Sequence, residues 1–248
     1  MNGKRIVVVG ATSGIAEHCG RLWLVDASEL ILLGRDESKL SSIRKDFNVR
    51  GSQVKITTYT LDFLNQAEVT EVVDRICAIG TIDIVLIAHA IMPLQIDCQN
   101  DLNLIANTIN INTTSVIWFS ELFLKYFERA NHGNLAIISS IAGDRGRRTN
   151  YLYGATKALL NCYVEGLQNR LANSKVKVLL IKPGPTTTPL TSQITLKFGK
   201  FAKPEQVATD IVNALNKGKE IVYTPYKWKF IMFFVRVMPK WLFNKLSV

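Results

Sequence analysis

Short aliphatic runs alternate along this chain with longer segments whose apolar positions recur at helical spacing. The runs fall at 6–9, 30–33, 54–61, 82–88, 135–138, 178–181 and 220–223. Those at 6–9, 30–33, 82–88, 135–138 and 178–181 are β-branched or Leu-rich and too apolar to have one wet face, which reads as strands buried on both sides in a parallel sheet, and the more polar 54–61 and 220–223 read as its remaining strands. Helical periodicity follows the first run as far as Val25, then returns at 67–78, over a long stretch at 102–127, from Tyr153 through Leu171, and after Pro204. Strand and helix in strict alternation predict an α/β, Rossmann-like doubly wound parallel sheet of about seven strands, with helices on both faces. The 248 residues suit one domain, since α/β folds of this size commonly share one core. Residues 1–225 carry the nucleotide-binding and catalytic features, with a substrate loop at 186–203. Residues 226–248 form a tail of different character.

Composition changes the picture in one respect. The formal net charge is +10, which favours anionic partners such as phosphorylated substrates, NADP or an acidic membrane surface. No nucleic-acid-binding motif accompanies the charge, so that partner is set aside. Cys19, Cys77, Cys98 and Cys162 have no metal spacing, and no histidine or carboxylate stands at ligand spacing to His89, so no metal site is expected. With no secretory signal at Met1, the expected setting is cytoplasmic with reduced thiols, peripheral on the inner membrane surface where the tail engages it.

Candidate chemistry begins at the first strand. Gly10, Gly14 and the small Ala16 open the first helix. Such a turn lets the backbone approach a pyrophosphate, while the helix N-terminus offers N–H groups and the positive end of its dipole. At the end of the second strand stand Gly34 and Arg35. An acid there would bind a ribose 2′-hydroxyl, whereas an arginine pairs with a 2′-phosphate. NADP(H) is therefore favoured, with NAD(H) the second option. Tyr153 and Lys157 lie four apart on a helix, which puts phenol and ammonium on one face. A nearby cation lowers a phenol's pKa toward the working range. Ser140, just past the fifth strand, is placed to hydrogen-bond a substrate carbonyl. His89, at the end of the fourth strand, is either a structural histidine or a contact to cofactor or substrate. Arg145, Arg147 and Arg148 lie between Ser140 and Tyr153, and three guanidiniums beside a catalytic pair suit a phosphate or phosphodiester. The tail mixes aromatics with Lys227, Lys229, Arg236, Lys240 and Lys245, carries no acid after Glu220, and is interrupted by Arg236 and Pro239. It is too broken to span a bilayer. It reads as an interfacial segment for an anionic membrane, or as a surface buried against a sister subunit.

Taken together, the glycine turn, Asn112, Ser140, Tyr153 with Lys157, and Pro183-Gly184 with Thr186 and Thr188 resemble the short-chain dehydrogenase/reductase family over nearly the whole chain. That resemblance implies reversible hydride transfer between a nicotinamide and a carbonyl. It implies cofactor contacts at Gly10, Thr12, Ser13, Gly14, Ile15, Arg35, Asp62, Phe63, Ala88, Tyr153, Lys157, Pro183, Gly184, Thr186 and Thr188. Asp62 would meet the adenine, and Lys157 would hold the nicotinamide ribose. The family's thirteen-residue step to the tyrosine selects Ser140 over Ser139, and Asn112 would distort its helix and support a proton relay. A homodimer or homotetramer is implied as well. Two departures stand out: Ala16 replaces the usual third glycine, and Ala88-His89-Ala90 replaces the usual Asn-Ala-Gly.

Residues 143–153, 217–225 and the tail further resemble the decaprenylphosphoryl-2-keto-pentose (erythro-pentofuranosid-2-ulose) reductase branch of cell-wall and polysaccharide synthesis. That branch implies a lipid-linked keto sugar as substrate. The alternatives are a reductase of soluble acyl, polyol or other small ketones, and a non-catalytic NADP-binding sensor or scaffold.

Overall fold

The computed structural model describes residues 3–192 and 200–245. Seven strands form one parallel sheet in the order β3-β2-β1-β4-β5-β6-β7. They are β1 (Lys4–Val9), β2 (Ala27–Gly34), β3 (Lys55–Thr60), β4 (Ile84–Ile87), β5 (Asn134–Ile138), β6 (Lys177–Pro183) and β7 (Ile221–Thr224). The helices are α1 (Gly14–Trp23), α2 (Glu37–Arg50), α3 (Gln66–Ile79), α4 (Gln95–Asn100), α5 (Leu102–Ile109), α6 (Ser115–Ala130), α7 (Tyr151–Arg170), α8 (Pro204–Asn216), α9 (Lys227–Val237) and α10 (Lys240–Phe243).

The apolar runs explain the layers. In β1, Ile6 and Val8 point into one core with Trp23 and Phe47, beneath α1, α2 and α8. Val7 and Val9 point into the other, with Phe119, Phe123 and Phe127 of α6 and Leu160 and Val164 of α7. Every one of these side chains is at most 1–2 % exposed, and each contributes ~1.5–3 kcal/mol of transfer free energy. Strand order reverses between β1 and β4, which opens a crevice at their C-terminal ends. That crevice is where doubly wound sheets bind ligands.

The long helix expected over 102–127 is not one rod. α5 and α6 are joined by a π-turn, Asn110–Thr114, in which the Ser115 N–H reaches the Asn110 carbonyl five residues back. The tail folds back on its own chain along one face and leaves the other exposed. α9 presents a narrow inner stripe of Trp228, Met232 and Val235. Of these Met232 is fully buried, while the neighbouring Phe230, Phe233 and Phe234 stay exposed. The break comes at Met238-Pro239, between α9 and α10.

Candidate active site

The crevice holds a cavity that runs from the first βα turn to the head of α7. At one end Gly10 has φ +79°, a conformation open to glycine, and a Cβ there would lie 2.7 Å from the His89 backbone nitrogen. Ser13 precedes α1 without capping it through its side chain, so the first N–H groups of the helix are free to face an anion. Thr12, Ser13, Gly14 and Ile15 line this end, as does Arg35. The neighbouring acid is turned away: Asp36 caps α2, accepting from the Lys39 N–H at 3.1 Å and from the Ser38 hydroxyl at 2.7 Å. A diphosphate-bearing dinucleotide fits this cradle, with Arg35 left for its ribose. Phe63, Ala88, Pro183, Gly184, Thr186 and Thr188 also line the cavity. Asp62 does not. Its carboxylate accepts from the Leu64 N–H at 2.9 Å within its own turn, and the residue faces solvent past the end of β3.

At the other end Ser140, Tyr153 and Lys157 meet. Ser140 leaves β5 and caps the short turn Ile141–Gly143, its Oγ accepting from the Ala142 N–H at 3.1 Å. Tyr153 and Lys157 lie one turn apart on α7, 9 % and 1 % exposed. Lys157 Nζ donates to the Ile138 carbonyl at 2.9 Å and stands 5.7 Å from the centre of the Tyr153 ring. Burial governs both titrations in the chain by itself. It pushes the Tyr153 phenol up to about 12, against a partial offset from a hydrogen bond with Ser140, and it pushes the Lys157 ammonium down to about 7. In the chain by itself the phenol is thus protonated at neutral pH, the state a proton donor needs.

Asn112 sits in the π-turn, fully buried and outside the cavity wall. Its amide clasps both backbone groups of Ile91, accepting from N–H and donating to C=O at 2.8 Å each, and reaches Thr156 Oγ1 at 3.3 Å. His89 lines the cavity. The Ser115 hydroxyl donates to the Ile111 carbonyl at 2.8 Å, so its oxygen accepts from His89 Nε2–H at 2.8 Å. Burial first, then the charges of Lys157 and Arg35, lower the His89 pKa to about 3. It is a neutral, aromatic-packed wall residue, its ring centroid 4.7 Å from that of Phe63.

The three loop arginines separate. Arg147 lines the cavity. Arg145 is used elsewhere: Nη1 donates to the Val235 carbonyl and, at 2.7 Å, to that of Met238, and its guanidinium lies 3.9 Å over the Phe243 ring. It caps the C-terminus of α9, where orphan carbonyls and the negative dipole end favour a cation. Arg148 is exposed and outside the cavity wall. The expected cluster of three guanidiniums is therefore one. The substrate loop at 186–203 lies partly outside the described residues.

Several residues here escaped sequence reading. Lys182 and Asp144 form an ion pair at 2.7 Å with side chains 5 % and 2 % exposed. Asp144 also accepts from Tyr223 Oη at 2.8 Å and Asn161 Nδ2 at 3.3 Å. Asn161 Oδ1 in turn accepts from the Ser139 hydroxyl at 2.7 Å, and that hydroxyl also reaches the Lys157 carbonyl at 3.1 Å. A continuous polar network thus runs behind the catalytic end. The signal for it was available: a lysine closing the buried run 178–181 demands a partner. Trp228 covers Gly184 so closely that a Cβ there would fall 2.0 Å from the indole Nε1.

A parallel doubly wound sheet, an anion cradle at its switch point and a buried Tyr/Lys pair with a serine define a nicotinamide-dependent oxidoreductase. Residues 4–197 match the family described as short chain dehydrogenase, and the chain belongs to it. An uncharacterized oxidoreductase of Streptomyces coelicolor is 27 % identical over 246 residues, covering 99 % of this chain and 96 % of that protein. Among solved structures, a short chain dehydrogenase from Burkholderia cenocepacia in complex with NADP superposes with TM-score 0.84 at 18 % identity, over 100 % of this chain and 98 % of that one. A short chain dehydrogenase/reductase from Burkholderia phymatum in complex with NAD gives TM-score 0.83 at 18 % identity, over 94 % and 92 %. Among the described residues no cluster suited to a metal ion is found, and no helix is long and apolar enough to cross a membrane.

Proposed function

We propose that this enzyme uses NADPH to reduce the keto group of a polyprenyl-phosphate-linked sugar, or a related activated keto sugar, at an anionic membrane surface. The observation that carries this reading is the placement of α9. Its inner stripe covers Gly184 and touches Arg147, both on the cavity wall. Its outer face exposes Phe230, Phe233, Phe234 and Val237 at 56–65 %, among the exposed Lys229, Arg236 and Lys240. A side chain of that kind contributes ~1.5–3 kcal/mol when buried, and a basic residue near anionic lipid adds ~1 kcal/mol. A few of each support reversible docking after the cost of association. A lipid-anchored substrate would then meet the cavity without leaving the bilayer.

Bound nicotinamide supplies the hydride. Ser140 orients the carbonyl oxygen, and Tyr153 gives it the phenolic proton as negative charge develops there. Lys157 steadies the phenolate that remains and hydrogen-bonds the cofactor ribose. Asn112 holds the Ile91 segment against α7 and supports the proton relay. NADPH is preferred through Arg35, free of the capping acid beside it. Arg35→Ala is expected to lower kcat/KM for NADPH by roughly tenfold or more, the size of a charge-assisted contact, and to leave NADH use nearly unchanged. A parent with no NADPH preference, or a variant that keeps it, removes the ribose-phosphate role.

The membrane half is tested by flotation with vesicles of anionic or neutral lipid. The parent should float with anionic vesicles at low salt, and Phe233→Ser with Phe234→Ser, both exposed and so compatible with folding, should not. A parent that ignores anionic vesicles would make the tail a cover for the catalytic wall only.

A further inference from the structure

Arg147 lines the same cavity as Ser140 and Tyr153 and sits on the turn that leads into α7, its carbonyl accepting from the Asn150 N–H at 3.2 Å. Its Nε is sealed from solvent and has no hydrogen-bond partner among the described residues. Nη2 meets only the thioether of Met232, at 3.7 Å, a weak acceptor. No carboxylate of the described residues lies within ion-pair distance, and Asp144, the acid whose charge reaches it, is already committed to Lys182 and Tyr223. Burial accordingly lowers the guanidinium's pKa. A largely buried cation without a counter-charge is costly. In a cavity wall, the arriving ligand can supply that charge.

We infer that Arg147 is the receptor for a phosphate ester carried by the substrate, held in place by Met232 of α9. The cofactor's own phosphates belong to the Gly10–Ile15 cradle, whereas Arg147 lies on the segment between Ser140 and Tyr153, the groups that meet the carbonyl. A guanidinium fork binds phosphate oxygens two at a time, so it fixes both the distance and the orientation of the keto group. Because Met232 is the fully buried member of α9's inner stripe, the helix that faces outward with aromatics also sets this receptor. Membrane docking and phosphate capture thereby share one element. This inference rests on the ketone-reductase reading and names the substrate group which that reductase selects.

The test compares dihydroxyacetone phosphate with dihydroxyacetone as probe ketones, with NADPH, in the parent, Arg147→Gln and Arg147→Lys. In parallel, calorimetry follows dihydroxyacetone phosphate binding to the NADP-loaded proteins. The parent should prefer the phosphorylated ketone. Arg147→Gln should shrink that preference by roughly tenfold to hundredfold, chiefly through KM, and weaken phosphate-ester binding in proportion. Arg147→Lys should keep part of both, and NADPH affinity should move far less than either. Three outcomes overturn the inference: equal use of the two ketones by the parent, a preference retained in Arg147→Gln, or NADPH affinity lost in step with the phosphate effect. A parent that binds the ester through Arg147 yet reduces neither ketone would overturn the reductase reading and leave the receptor standing.

Discussion

Tyr153→Phe is expected to lower the rate of ketone reduction by ~10²–10⁴-fold, the range of a positioned general acid, while NADPH affinity stays within a few-fold of the parent. The substitution removes one oxygen from a ring that is 9 % exposed and otherwise packed. Fold and cofactor cradle, which lies at the opposite end of the cavity, are left as they are. Single-turnover reduction beside NADPH fluorescence titration separates the two effects. A variant that reduces ketones at the parent rate would remove Tyr153 from the chemistry. Parallel loss of NADPH binding would instead give the hydroxyl a structural role.

The largest effect on stability is expected at Lys182. Lys182→Met leaves the Asp144 carboxylate, 2 % exposed, without its cation, and breaking a buried pair from one side costs about 3–5 kcal/mol. For a chain of this size that corresponds to a fall in Tm of roughly 6–20 °C. Adding Asp144→Asn should recover part of the loss, because the uncompensated charge is then gone while Tyr223 and Asn161 keep a polar partner. Urea unfolding of parent, single and double variants measures this directly. A cost below about 1 kcal/mol, or strict additivity in the double variant, would mean that solvent reaches Asp144 once the lysine leaves.

Local chemistry is what made most of the cavity legible before any coordinates. The glycine turn follows β1 immediately, and Tyr153 and Lys157 are neighbours through helical geometry alone. Ser140 ends an apolar run. Each of these depends on residues close in sequence, so periodicity and spacing are enough to place them. The strands emerged for the same reason, since a run such as 6–9 has few ways to hide its side chains other than a sheet covered on both faces.

Long-range contacts were hidden. Arg145 and Arg147 differ by two positions and carry the same charge, yet one caps a helix 90 residues away and the other lines the cavity. Nothing local distinguishes them, because the choice belongs to where α9 docks. That docking depends on Trp228 finding a bare glycine at Gly184, a fit of shapes rather than a pattern of polarity. Asp144 was passed over because an acid among arginines in a loop resembles a solvated charge. Its partner Lys182 lies on β6, and only the assembled fold brings them together.

The π-turn at Asn110–Thr114 has a consequence for how this chain tolerates change. Apolar positions on either side of it read as one uninterrupted helix, although the backbone holds one residue more than a regular turn would. Removing the surplus residue would let an ordinary α-helix span the same gap, whereas keeping it with regular α-helical bonds would swing all that follows by about 100°. Ser115 would leave its place beneath His89, and Phe119 and Phe123 would rotate off the sheet. The phase of the longest helical stretch, and with it one half of the core, is set by that one surplus residue. The bulge behaves as an insertion that the fold has absorbed without turning its core away from the sheet.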